Sequence, residues 1–186
     1  AGASIYGIRL AAKQADAIYS VSWNINQATQ FRQKIDAAVQ KYAENKRHIK
    51  VFPGLVTYVG RTREEAWAKK ASLDDNLEIK TALEQLSTFV QQDCTQWELD
   101  EKVPSLPPVE QFTGPIGRYQ TILEIIKDKD PTVKELLGYL NAGGGHLTLI
   151  GTPEEIVDEM ERWYEAGVAD GFNLMPPSLP EGIEDF

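Results

Sequence analysis

The chain has 186 residues, and 19 Lys and Arg stand against 28 Asp and Glu, a formal net charge of −9. With 42% hydrophobic and 25% charged residues it has enough chain for one or two globular domains with a real core, while the acidic surplus argues against a nucleic-acid or anionic-membrane binder, since both need basic surface. The single cysteine, Cys94, excludes an internal disulfide framework, and with only His48 and His146 available no metal centre is expected.

Ser4 is placed to cap a helix whose apolar face is Ile5, Ile8, Ala11 and Ala12. Asp16 to Val21 reads as a short buried strand. Asn24 or Asn26 can cap the next helix, whose stripe is Ala28, Phe31, Ile35, Ala38, Val39 and Tyr42. Ile49 to Val59 is an apolar run, and Pro53-Gly54 predicts that this strand bends or ends there, because proline cannot donate to a ladder. Thr62 and Glu65 have capping-box spacing for a third helix, and Leu77, Leu83, Leu86 and Val90 mark a fourth.

Residues 93–116 hold four of the ten prolines and lose helical periodicity, which predicts a long irregular loop. Gly117 to Asp128 reads as helix, and Thr132 with Glu135 starts another that Gly143-Gly144-Gly145 stops. His146 to Ile150 is a short apolar strand. Gly151-Thr152-Pro153-Glu154-Glu155 is the clearest helix start in the chain, with Thr at the cap, Pro next and acids in the first turn. Ala169 to Met175 reads as a strand closed by Pro176-Pro177. Only three strands are convincing. Strands separated by helices imply crossover units and a parallel sheet, hence an α/β fold.

Ala1-Gly2-Ala3-Ser4 precedes a helix, and its small residues with the free first-turn amides could admit a phosphate, although a plain serine cap is the commoner use of such a residue. His146 is a weak candidate for acid–base work, against the commoner structural histidine. Asn173 and Met175 lie at the C-terminal end of the last strand, the edge where parallel α/β folds bind ligands. The glycines at 143–145 follow a helix, so they do not form a dinucleotide fingerprint. His48 lies in a basic connector and is expected to be solvated. Neither a membrane-spanning apolar stretch nor a leader pattern is visible, which points to the cytoplasm.

Several segments resemble the bacterial-luciferase-like FMN-dependent monooxygenases, in the nitrilotriacetate monooxygenase branch. Ala1-Gly2-Ala3-Ser4-Ile5-Tyr6-Gly7 resembles the family's Gln-Ala-Gly-x-Ser-x-x-Gly stretch, starting after the glutamine. Leu10 to Tyr19, Ile49 to Gly54 with Val59 to Thr62, and Gly151 to Glu155 through Ala169 to Pro177 follow in the family's order.

The resemblance implies that the chain is the C-terminal portion of a (β/α)8 TIM barrel, with residues 1–186 as one partial barrel domain and a helical, Pro-rich insertion at 60–145. It implies FMN as cofactor, with Ser4 at the FMN phosphate and Gly2 and Ala3 beside it. It further implies a two-component reaction: a partner flavin reductase uses NAD(P)H to supply reduced FMN, and O2 then oxygenates a small organic substrate. Asn173 and Met175 would lie on the substrate side. A homodimer, or association with the missing half, is expected. The competing expectation is a non-catalytic half-barrel fragment, or a ligand-binding or interaction module that has lost the flavin site.

Overall fold

The computed structural model describes residues 4–114 and 116–186. In chain order the elements are α1 (Ile5–Gln14), β1 (Ala17–Ser20), α2 (Ile25–Tyr42), β2 (Lys50–Val59), α3 (Arg63–Asp74), α4 (Ile79–Val90), a 3-10 turn (Val109–Gln111), α5 (Ile116–Lys129), α6 (Val133–Gly143), β3 (Leu147–Gly151), α7 (Pro153–Glu165), β4 (Asn173–Leu174) and α8 (Glu181–Glu184). They fall into two compact units, residues 1–67 with 146–186, and residues 68–145. No helix among the described residues is long and apolar enough to cross a membrane.

The first unit is built on a parallel sheet. β2 pairs with β1, with β3 and with β4, always in parallel. Helix starts follow their cap residues: Ser4 accepts from the Gly7 amide, Asn24 from the Gln27 amide, and Thr152 forms a full capping box with Glu155. Alternation along β1 and β2 sends Ile18, Val51 and Leu55 to the helix-packed side. There Ile18 and Val51 join Ala12, Ile35, Val39 and Ile49, while Leu55 and Leu147 meet Ala28 and Trp163. Ile35, Leu55 and Trp163 are all under 2% exposed. Each such side chain contributes about 1.5–3 kcal/mol through burial.

β2 runs unbroken through Pro53, contrary to the bend expected there. Backbone groups alternate between a strand's two edges. Lys50 donates to Asp16 on the β1 edge, whereas Val51 and Leu55 accept from the Asp170 and Met175 amides on the β4 edge. Pro53 therefore lacks its N–H on the β4 edge, at a point where residues 170–172 form no strand.

The last strand is correspondingly shorter than the predicted 169–175, and the sheet has four strands instead of three convincing ones. The reason is Asp170. Its carboxylate Oδ2 takes the Val51 amide at 2.8 Å, so a side chain stands where a ladder carbonyl would.

The second unit holds the rest of α3 with α4, α5 and α6, and the predicted loop with its single 3-10 turn. Leu83, Leu86, Ile122, Ile125, Leu136 and Leu137 are buried. Lys70 is only 4% exposed, and it pairs with Asp74 and lies 4.8 Å from the centre of the Tyr139 ring. Phe112 stacks on Tyr119 with ring centres 3.9 Å apart, and the Tyr119 hydroxyl donates to Pro107 O at 2.6 Å. These contacts hold the proline-rich loop down.

Where β2 begins, Asp170 also receives Arg32 Nη2 at 2.9 Å and faces His48 Nε2 at 2.5 Å. Arg32 is 7% exposed and also donates to Ile49 O. His48 is exposed, as expected of a solvated residue, and in addition contacts the Asp170 carboxylate. Burial by itself would raise the Asp170 carboxyl, but the Val51 amide, then His48 and Arg32, outweigh it and hold the group below its ordinary value of 3.8.

The sign follows from that depression. The unfolded chain takes up the proton first, so the contribution to stability is full above the ordinary value and is lost as pH falls through the folded one. Asp170→Asn is expected to cost about 1.5–3 kcal/mol, the range for hydrogen bonds to a charged group, since Asp170 is only partly buried. Urea melts should show that loss at pH 7 and a smaller difference from wild type at pH 3.

Candidate functional site

The other face of the sheet carries the polar chemistry. Tyr19 is in register with Phe52, and Asn173 with Gly54, so Tyr19, Phe52, Gly54, Asn173 and Met175 share that face. His146, one residue before β3, comes to the same place. The Tyr19 hydroxyl lies 2.8 Å from His146 Nε2 and 3.3 Å from Nδ1, and 3.3 Å from Met175 Sδ. The two rings are 5.3 Å apart and inclined at 37°. His146 is 6% exposed, whereas Tyr19 is 42% exposed.

Gly54 makes room for this cluster. A Cβ on residue 54 would lie 2.4 Å from His146 Nδ1 and 2.8 Å from the Tyr19 hydroxyl. Its backbone is ordinary extended strand, so side-chain crowding and not dihedral angle is what demands glycine here. Four separate stretches of chain (the ends of β1 and β4, the middle of β2 and the start of β3) therefore converge on one small area.

His146 and Met175 are brought together through Tyr19. Asn173 is exposed beside them in register with Gly54. Ser4 is exposed and caps α1, its Oγ accepting from the Gly7 amide at 3.2 Å. Gly2 and Ala3 lie outside the described residues. α1 ends just before β1 starts, so its first turn lies toward the end of the sheet where β1 finishes. Tyr19 and Gly54 are the residues that sequence reasoning missed. Each carried a signal: Tyr19 is a polar ring alternating inward near a strand end, and Gly54 a glycine inside a strand.

Other candidates lose ground. Cys94 is fully buried, and burial raises its thiol, which leaves it a poor nucleophile. Among the described residues no group of three or more His, Cys, Asp or Glu is placed to hold a metal ion. The acids of α7 line its outer side, but Glu155 is an exception. It reaches across to Arg63 Nε at 3.1 Å, and Arg63 with the Thr152 amide keeps its carboxyl below the usual range.

A family model described as luciferase-like monooxygenase matches residues 1–170. The chain belongs to the luciferase-like monooxygenase family. Relatives include N-acetyl-S-(2-succino)cysteine monooxygenase of Bacillus subtilis (strain 168), 33% identical over 100% of this chain and 42% of its own length. Nitrilotriacetate monooxygenase component A of Aminobacter aminovorans is 30% identical over 100% of this chain and 41% of its own length.

The crystal structure of DmoA from Hyphomicrobium sulfonivorans superposes with a TM-score of 0.74 at 27% identity, covering 100% of this chain and 38% of that one. The chain spans about two fifths of the length of these relatives, as expected of part of a luciferase-like barrel. The parallel sheet of the first unit is a section of that barrel's wall.

In this family member, Gly54→Ala is expected to displace the His146 ring and cost about 1–3 kcal/mol, the usual range for overpacking. A thermal melt together with the shift of the His146 ring signals in an NMR spectrum checks both parts.

Proposed function

We propose that this chain forms part of a flavin-dependent monooxygenase that uses reduced FMN and O2 to oxygenate a small organic substrate. The observation that carries the reading is the family match over residues 1–170, joined to a polar cluster at the strand ends of the sheet. Two of the relatives are named monooxygenases with sulfur- or nitrogen-bearing carboxylates in their names. A flavin reductase is the expected source of the reduced cofactor, in keeping with a relative named as component A of its enzyme. Reduced FMN, when bound, supplies the electrons that activate O2.

The residues present suit the phosphate end of FMN. Ser4 Oγ accepts from the Gly7 amide and keeps its own proton to donate. The first turn of α1 holds no acid that would repel a phosphate, and its remaining amides point out of the helix start. Gly2 and Ala3 would let the anion approach the backbone. On the substrate side, Asn173 and Met175 would bind and orient the substrate, with buried His146 behind them, and help to exclude water from the reacting atoms. The exposed side chains Ile5, Tyr6 and Leu10 on α1 support a further surface over this helix, from a second copy or from the rest of the barrel.

The test separates a phosphate contact from a helix cap. Aspartate caps a helix as well as serine but repels a phosphate. Ser4→Asp should therefore leave the melting temperature unchanged and weaken FMN binding at least about tenfold, near 1.4 kcal/mol. Riboflavin, which has no phosphate, should bind both forms alike. Fluorescence titration of each flavin reads this out. Equal FMN affinity in the two forms would remove Ser4 from the site, and no saturation up to about millimolar FMN would remove the flavin reading for this chain.

A further inference from the structure

We infer that Tyr19 is the group on this sheet face that meets the substrate, and that buried His146 is the positioning residue behind it that takes up the tyrosine's proton. This rests on the proposed function only for the identity of the substrate; the pair itself stands on geometry.

The exposures place the two groups in sequence. His146 is 6% exposed and Tyr19 42% exposed, so a molecule approaching this face reaches the phenol before the imidazole. A hydroxyl has one proton to give. Three candidate acceptor atoms lie near it, His146 Nε2 at 2.8 Å, His146 Nδ1 at 3.3 Å and Met175 Sδ at 3.3 Å, and Nε2 is the nearest. An unprotonated imidazole nitrogen is a far better acceptor than a thioether, so the proton is directed at Nε2. The ring's own proton then sits on Nδ1. Gly54 enforces the arrangement, because any Cβ there would push on Nδ1 and on the hydroxyl at once.

With its proton turned inward, the phenol oxygen presents lone pairs outward. It accepts a hydrogen bond from a substrate N–H or O–H. It can also relay a proton: the substrate's X–H bond breaks as a new Oη–H bond forms, while the original Oη–H bond breaks as Nε2–H forms. The substrate loses one proton, the imidazole gains one, and tyrosine ends neutral. The substrate class that suits this group carries a hydrogen-bond donor beside the atom to be changed, such as an amine, an alcohol or a protonated acid.

The same geometry makes Tyr19 a base-assisted nucleophile, which a simple reagent can read without flavin. N-Acetylimidazole acetylates tyrosine oxygens: Oη attacks the acetyl carbon as its proton passes to Nε2, the C–N bond breaks, and that proton is handed on to the departing imidazole. Tyr6 and Tyr164, 81% and 68% exposed, serve as internal standards because both are more accessible than Tyr19.

Tyr19 should be acetylated at least about tenfold faster than either, below the usual span for general-base assistance. His146→Gln, which keeps a hydrogen-bonding side chain but no base, should abolish that advantage. Peptide mass mapping of timed samples gives the rates. In parallel, the ring 15N shifts of His146 should show Nε2 unprotonated in the wild type and a changed tautomer balance in Tyr19→Phe, a readout that does not depend on the glutamine variant folding.

Tyr19 reacting no faster than its exposure predicts, or a protonated Nε2 in the wild type, overturns the proposal. A chain that binds no flavin would still show the acetylation bias, so the two readings fail separately.

Discussion

Every strand of the sheet is hydrogen-bonded to β2, and β2 must therefore divide ten residues between two edges. Its even-numbered residues face β1 and, once β1 ends, β3; its odd-numbered residues face the Asp170 turn and β4. That division explains three features together. A proline is tolerated in a central strand because its missing donor faces a gap in the β4 ladder. A carboxylate substitutes for a backbone carbonyl at Val51. β3 can occupy the edge that β1 leaves, which carries His146 to Tyr19.

The two ends of the sheet have different tasks. At the start of β2, Arg32 and Asp170 form a largely shielded ion pair, with exposed His48 against its outer side, which joins α2 to the turn before β4. At the finish, polar groups are partly exposed and crowd around a glycine. The charged clasp and the candidate site thus lie at opposite ends of β2, the arrangement expected of a parallel α/β barrel. The luciferase-like relatives supply the wider frame, and this chain covers about two fifths of it.

Much of the fold was legible in local patterns. The caps at Ser4, Asn24, Thr132 and Thr152 are strong because each acts within three residues, which is the range that sequence spacing reports. The stop at Gly144, with a positive φ of 54°, is equally local. What escaped depends on partners far along the chain. Pro53 reads as a strand breaker until the edge it faces is known. Residues 170–172 read as strand until the Asp170 carboxylate is seen to replace the ladder. His48 is exposed as expected, but its contact with Asp170, 122 positions away, could not be read locally. The site shows the same limit: His146 and Met175 stood out by residue type and position, whereas Tyr19 looked like one more apolar strand residue until its hydroxyl met both.

The separation of Tyr19 and His146, 127 positions in the chain, also has a bearing on the order of folding. Closing a flexible loop of that length costs roughly 4 kcal/mol in its length-dependent part. Most of the intervening chain belongs to the second unit, which has its own buried core and can collapse by itself. Once it has done so, the loop left to close is effectively short. The collapsed second unit therefore acts as an entropic spacer between β2 and β3, shortening the loop whose closure brings the hydroxyl to the imidazole.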